Sequence, residues 1–192
     1  MTAVKKVVGK SLLWVFGWQA EITVDLPKKY IVVGYPHTST WDFPLFVLTI
    51  WSMGIPMKFL GKKSLFVGPF GWLFTALGGL PVDRTGGKDM VKQVAQLFED
   101  HDELSIGLAP SGTRGHAEHL RSGFYHMAAA SDVPLVLGSM DFGRRVGCLI
   151  DAVHPSGDIG ADMDKIRKIY THIRGRNPEL MVPIRLRSEL EE

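Results

Sequence analysis

The chain has 192 residues, 45% of them apolar, which suffices for one domain with a buried core and excludes general disorder. Its formal charge of +2 leaves no bulk basic field, so a dedicated nucleic-acid binder is excluded and any cationic function must be local. The single cysteine, Cys148, rules out an internal disulfide and, among apolar neighbours, reads as a core thiol in a reducing compartment.

Residues 1–20 contain VKKVVGKSLLWVFGWQ, with three lysines and no acid before Ala20. On a helical wheel Val4, Val7, Val8, Leu12, Val15 and Trp18 form one stripe, and Lys6 and Lys10 lie opposite. The pattern predicts an amphipathic helix. Two readings stand open: a helix lying in a headgroup layer with Trp14, Phe16 and Trp18 as aromatic anchors, or a helix packed on the domain. Lys10 interrupts the apolar run and no small-x-small site follows, which argues against a cleaved signal peptide. No apolar run of about twenty residues, the length that spans a bilayer, is present.

Beyond this segment, short β-rich runs at 22–24, 30–34, 57–60, 80–82, 104–108, 134–139 and 146–153 predict strands. Between and after them, 41–53, 71–77, 88–101, 122–131 and 163–176 predict helices. The alternation implies an α/β fold: a largely parallel or mixed central sheet flanked by helices on both faces, with the amphipathic helix in front. Residues 21–183 form the domain, and the charged tail 184–192 is expected to be peripheral or frayed. The aromatic-rich segments 41–51 and 66–77 are expected to be mostly core, with some side chains available to line an apolar tunnel.

Three polar or glycine-rich stretches follow directly on apolar strands: PHTSTWD at 36–42, DRTGG at 83–87 and APSGTRG at 109–115. Loops at the carboxyl ends of parallel strands converge on one crevice, so these three are candidates for a shared site. His37 and Asp42 are spaced so that the carboxylate can accept from Nδ1–H and leave Nε2 as a base. The same stretch reads equally as a loop leading into a helix, with Thr38, Ser39 or Thr40 as its cap. Arg84 and Arg114, in glycine-rich loops, suit a phosphate, although Asp83 is an alternative partner for Arg84. Lys62 and Lys63 stand beside an apolar stretch, where an ammonium either meets an anion or is simply solvated. His116, His119 and His126 have no familiar metal spacing and no supporting cysteine, so no metal is expected.

Taken in order, these stretches resemble the glycerolipid acyltransferase family. HTSTWD resembles its H-x4-D motif, and GKKSLFVGPFG (61–71) followed by GGLPVDR (78–84) its second block. APSGTRG resembles the F-P-E-G-T-R block, RSGFYHMA (121–128) the K-x-G-x-F segment, and VPLVLGSM (133–140) the V-P-hydrophobic block. The resemblance implies transfer of a fatty acyl group from a thioester, acyl-CoA or acyl carrier protein, to a hydroxyl of a lysophospholipid such as 1-acylglycerol-3-phosphate. No covalent acyl-enzyme and no cofactor are implied. It assigns His37 as general base with Asp42 as its orienter. Lys62, Arg84, Ser111, Gly112, Thr113 and Arg114 would bind substrate, with the Gly112 N–H as a candidate oxyanion donor. Peripheral attachment to the cytoplasmic face of the cell membrane follows as an expectation.

Two departures stand out. Ser111 replaces the family glutamate, and Arg121 stands in the place of a lysine. The first leaves room for an altered acceptor or for a catalytically impaired lipid-surface binding protein on the same fold; a thioester hydrolase, with water in place of the lipid hydroxyl, is a third class.

Overall fold

Unbroken apolar runs such as YIVV at 30–33 and LVL at 135–137 need cover on both faces of a strand. The computed structural model places both at the centre of a seven-stranded sheet. It describes residues 3–83 and 87–190, leaving aside the side chains of Gly87 and Lys88. The strands are β1 (Gln19–Ile22), β2 (Lys29–Gly34), β3 (Met57–Lys62), β4 (Gly79–Val82), β5 (Leu104–Leu108), β6 (Leu135–Asp141) and β7 (Val146–Val153). Their order is β1-β7-β6-β2-β5-β3-β4, and every pair is parallel except the hairpin-like β6–β7 pair.

The six α-helices are α1 (Ala3–Val15), α2 (Asp42–Met53), α3 (Gly71–Ala76), α4 (Gly87–Glu99), α5 (Gly123–Ala130) and α6 (Ile159–Tyr170). Alternate residues of the central strands serve opposite layers. Ile31, Val33, Leu135 and Leu137 pack with Phe98 of α4, Phe124 of α5 and Met163 of α6. Tyr30, Val32 and Val136 face the other way, with Ile50 of α2. The α/β sandwich read from the sequence is therefore the observed fold.

Helix α1 rests on α2 through its smallest residue. A Cβ on Gly9 would lie 2.6 Å from the Ser52 backbone nitrogen and 2.7 Å from the Leu48 carbonyl oxygen, so only glycine permits this approach. Leu13 and Trp18 are buried with Leu45 and Met140, and Trp18 meets Phe142 edge-on at 4.8 Å. Trp18 is thus a core residue and not the third aromatic anchor expected from the sequence. Elsewhere on the stripe Val8 and Leu12 are more than half covered, whereas Val4, Val7 and Val15, with Trp14 beside the stripe, are all more than 60% exposed.

Residues 63–76 differ most from expectation. Leu65, Val67, Phe70, Trp72 and Leu73 face solvent rather than the core, with Val67 83% and Trp72 71% exposed. Phe66 pins this excursion to the sheet, its ring filling the space that Cβ atoms on Gly61 and Gly79 would occupy. Lys5 Nζ donates to the Ala76 carbonyl at 2.9 Å, which ties the start of α1 to the end of α3.

Three further differences have local causes. The first strand lies at Gln19–Ile22 instead of 22–24, because it is an exposed edge strand in register with Val146–Leu149 rather than an apolar run. Helix α6 starts four residues earlier than 163: Asp158 caps it by accepting from the Ala161 N–H at 3.0 Å. The tail is anchored and not frayed, since Leu186 is buried in the main core and Glu189 accepts from Arg167 Nη2 at 2.6 Å.

Candidate active site

The loop from β2 to α2 carries His37. The Tyr35–Pro36 peptide is cis, and Tyr35 is fixed by donating its hydroxyl to the Val182 carbonyl at 2.7 Å. No hydroxyl residue caps α2; the residue before it, Trp41, makes no side-chain cap bond. The organiser is Asp42 itself, whose Oδ2 accepts from the Thr38 N–H at 2.7 Å, the Ser39 N–H at 2.9 Å and His37 Nδ1 at 3.0 Å. The carboxylate is buried, and it stands in the first turn of α2, where the helix dipole favours negative charge. Because that oxygen can only accept, Nδ1 must carry the proton and Nε2 keeps its lone pair. The HTSTWD stretch does lead into a helix, but Asp42 rather than a hydroxyl cap folds the turn, and the same oxygen orients the histidine.

Parallel neighbours place other loops beside this one. Val33 of β2 is in register with Leu108 of β5, and Phe59 of β3 with Gly107. The APSGTRG loop thus leaves the sheet next to the His37 loop, and Lys62 ends the strand beyond it. Val82 of β4 is in register with Lys62, so the chain leading to Arg84 leaves from the next position along the same edge. Arg84 itself lies outside the described residues.

Gly112 has φ +63, and a Cβ there would lie 2.8 Å from Arg121 Nε, so glycine lets the loop turn against the Arg121 side chain. The Gly112 N–H donates to the Ala109 carbonyl at 3.1 Å, closing the turn. To serve as an oxyanion donor it would have to share or leave that bond. Ser111 is buried, its hydroxyl donating to the Thr113 carbonyl at 2.8 Å, and Thr113 Oγ1 accepts from the Gly115 N–H at 3.2 Å. Both residues brace the loop, and the Ser111 hydroxyl donates inward rather than to a ligand. Lys62, Arg114 and Arg121 are exposed, with no carboxylate partner among the described residues.

Helix α2 continues from Asp42 into an apolar groove of about 170 Å³ whose lining includes Phe46, Ile50, Met57, Phe59 and Leu77. Phe46, one turn from Asp42, is the lining residue nearest Asp42 along α2, and most of the rest of the lining lies towards the far end of that helix and the starts of β3 and β4. Elsewhere, burial pushes the Cys148 thiol up, consistent with a core thiol on β7. Among the described residues no group of three or more His, Cys, Asp or Glu is placed to hold a metal ion.

One set of residues carried no signal in the sequence. Asn177 donates its backbone N–H to Thr38 Oγ1 at 3.2 Å and its side-chain Nδ2–H to the Thr38 carbonyl at 2.8 Å. Arg176 lies over the Trp41 ring, 5.7 Å from its centroid. The Asn177 contacts join positions 139 residues apart, and nothing around 177 marks the partner.

A histidine paired with a buried carboxylate, exposed cations on neighbouring loops and strand ends and an apolar groove along the same helix suit a substrate that is both anionic and apolar. The acyltransferase family profile matches residues 19–137, more than half of the chain. The chain belongs to the acyltransferase family and is an acyltransferase. Its fold is similar to that of the 1-acyl-sn-glycerophosphate (LPA) acyltransferase PlsC from Thermotoga maritima, with a TM-score of 0.54 at 19% identity over 85% of this chain and 73% of that one. None of the curated proteins compared with the chain matches it.

Proposed function

We propose that the protein acylates a lysophospholipid such as 1-acylglycerol-3-phosphate, taking the acyl group from the thioester of coenzyme A or acyl carrier protein. The observation that carries this reading is the Nδ1-to-Asp42 bond at 3.0 Å, which leaves Nε2 of His37 as an acceptor at the carboxyl edge of a parallel sheet. His37 Nε2 takes the proton of the acceptor hydroxyl as its oxygen attacks the thioester carbonyl. The tetrahedral intermediate then expels the thiolate, which recovers that proton from the imidazolium. Asp42 stabilises the charge between the two steps. A thioester is already activated, so positioning and proton removal suffice and no cofactor enters.

Arg114 and Lys62, with Arg84, supply the cations that hold the acceptor's phosphate. The groove along α2 takes the apolar chain, each buried methylene contributing about 0.8 kcal/mol. Where the family glutamate would put a carboxylate, Ser111 is folded into its own loop, which leaves more net positive charge at the site and suits an anionic acceptor.

The protein works as a peripheral enzyme on the cytoplasmic face of the cell membrane. No described helix is long and apolar enough to cross a bilayer. Instead α1 and the 63–76 excursion expose Val4, Val7, Trp14, Val67, Phe70 and Trp72, joined through the Lys5–Ala76 bond and flanked by lysines. Aromatic and aliphatic side chains with adjacent ammonium groups fit the boundary of an anionic bilayer.

The test is thiol release from acyl-CoA and from acyl carrier protein, with and without lysophosphatidic acid, by native protein and by Arg114→Ala. Release that requires the lysolipid, with a raised KM for lysophosphatidic acid in Arg114→Ala, supports the reading. Release without any acceptor makes the protein a thioester hydrolase.

A further inference from the structure

The segment Gly175–Asn177 lies beyond the stretch matched by the family profile, yet it grips the loop that carries His37. Its fit is close: a Cβ on Gly175 would lie 2.8 Å from Thr38 Oγ1. Asn177 then brackets Thr38, its backbone N–H bonding the side-chain oxygen and its amide bonding the carbonyl. Since that carbonyl can only accept, the amide nitrogen, not its oxygen, must face it.

The peptide that Asn177 holds is the one that matters. The Thr38 carbonyl and the Ser39 N–H belong to a single planar unit. Asn177 Nδ2 donates to one end of it at 2.8 Å, and the other end donates to Asp42 Oδ2 at 2.9 Å. That same oxygen accepts from His37 Nδ1. Four groups thus form one line: Asn177 amide, Thr38–Ser39 peptide, Asp42 carboxylate, His37 imidazole. Donation to the carbonyl polarises the peptide and strengthens its N–H as a donor, and it stops the plane from rotating away from the carboxylate.

On the reading that His37 is the base, we propose that Asn177 is a positioning residue that acts on His37 through the Thr38–Ser39 peptide and Asp42, fixing the Nδ1–H tautomer. The guanidinium of Arg176 over Trp41 adds a second tie between the same two segments. Loss of the Asn177 amide leaves the Thr38 carbonyl without its partner and frees the peptide plane. The imidazole then samples both tautomers, and its base lone pair is misplaced for part of the time.

The experiment pairs imidazole ¹⁵N spectra with steady-state kinetics for the native chain, Asn177→Ala, Asn177→Asp and His37→Ala, the last also assigning the His37 signals. Asn177→Asp keeps the size and the backbone bond to Thr38 but removes the donor. In native protein His37 should show the Nδ1–H tautomer alone. Both Asn177 variants should show mixed tautomers and a kcat lowered about 10- to 100-fold, with KM for both substrates unchanged within about twofold and the unfolding midpoint retained. In an Asp42→Asn background, adding Asn177→Ala should cost much less, because the path it acts through is already broken. Unchanged tautomers in the Asn177 variants, or a full additive loss in the Asp42→Asn background, would overturn the proposal. Equal turnover by native protein and His37→Ala would remove the base reading instead, and the spectra would still decide whether Asn177 sets the tautomer.

Discussion

Asp162 holds the loop between β7 and α6 against α5, and the strength of that hold can be worked out. Its side chain is fully buried at the start of α6 and accepts from the Ser156 N–H at 2.6 Å, Ser156 Oγ at 2.9 Å, Tyr125 at 3.0 Å and Lys165 Nζ at 3.0 Å. Burial pushes its pKa upward, but the Ser156, Lys165 and Tyr125 donors outweigh burial and bring it from 3.8 to about 2. At roughly 1.4 kcal/mol per pH unit, the charged form stabilises the fold by about 2 kcal/mol. A depressed folded-state pKa makes this contribution fully present above the ordinary carboxyl value, and it fades as pH falls towards 2. Urea unfolding of native protein and Asp162→Asn between pH 2 and 7 should therefore show a stability gap that narrows by about 2 kcal/mol at the acid end. A gap that stays constant across that range would refute the assignment of the charge to this hydrogen-bond set.

Other substitutions test separate contacts. Gly9→Val should force α1 off α2 and lower stability by about 1–3 kcal/mol in thermal or urea unfolding, because its Cβ would sit 2.6 Å from the Ser52 nitrogen. Ser111→Ala removes the bond to the Thr113 carbonyl and should destabilise by about 1 kcal/mol in the same assay, while an unchanged fold stability would show that the hydroxyl is not bracing the loop. Trp14→Glu with Trp72→Glu should abolish sedimentation with anionic liposomes without shifting the unfolding midpoint, since both rings are exposed.

The central strands were legible because 30–33 and 135–137 are apolar on both faces, a pattern that a covered parallel sheet alone explains. The pairing of His37 with Asp42 was legible because the two are five positions apart, and local geometry links them. Apolar composition could not say where residues 65–73 point, since a membrane-facing surface and a core draw on the same side chains. Asn177 was invisible because its role depends on a contact made only after the chain returns from α6. Ser111 was visible as a departure, yet its inward orientation is set by Thr113 and by the turn at Gly112, which a substitution alone does not reveal.

The proposed mechanism has His37 remove the proton from a lysolipid hydroxyl during acyl transfer. Its most direct measurement is incorporation of a labelled acyl chain from a thioester donor into lysophosphatidic acid, compared between native protein and a folded His37→Ala variant. Labelled phosphatidic acid formed by the native chain and lost by at least about 100-fold in the variant is the predicted result. Equal incorporation by the two proteins would contradict it.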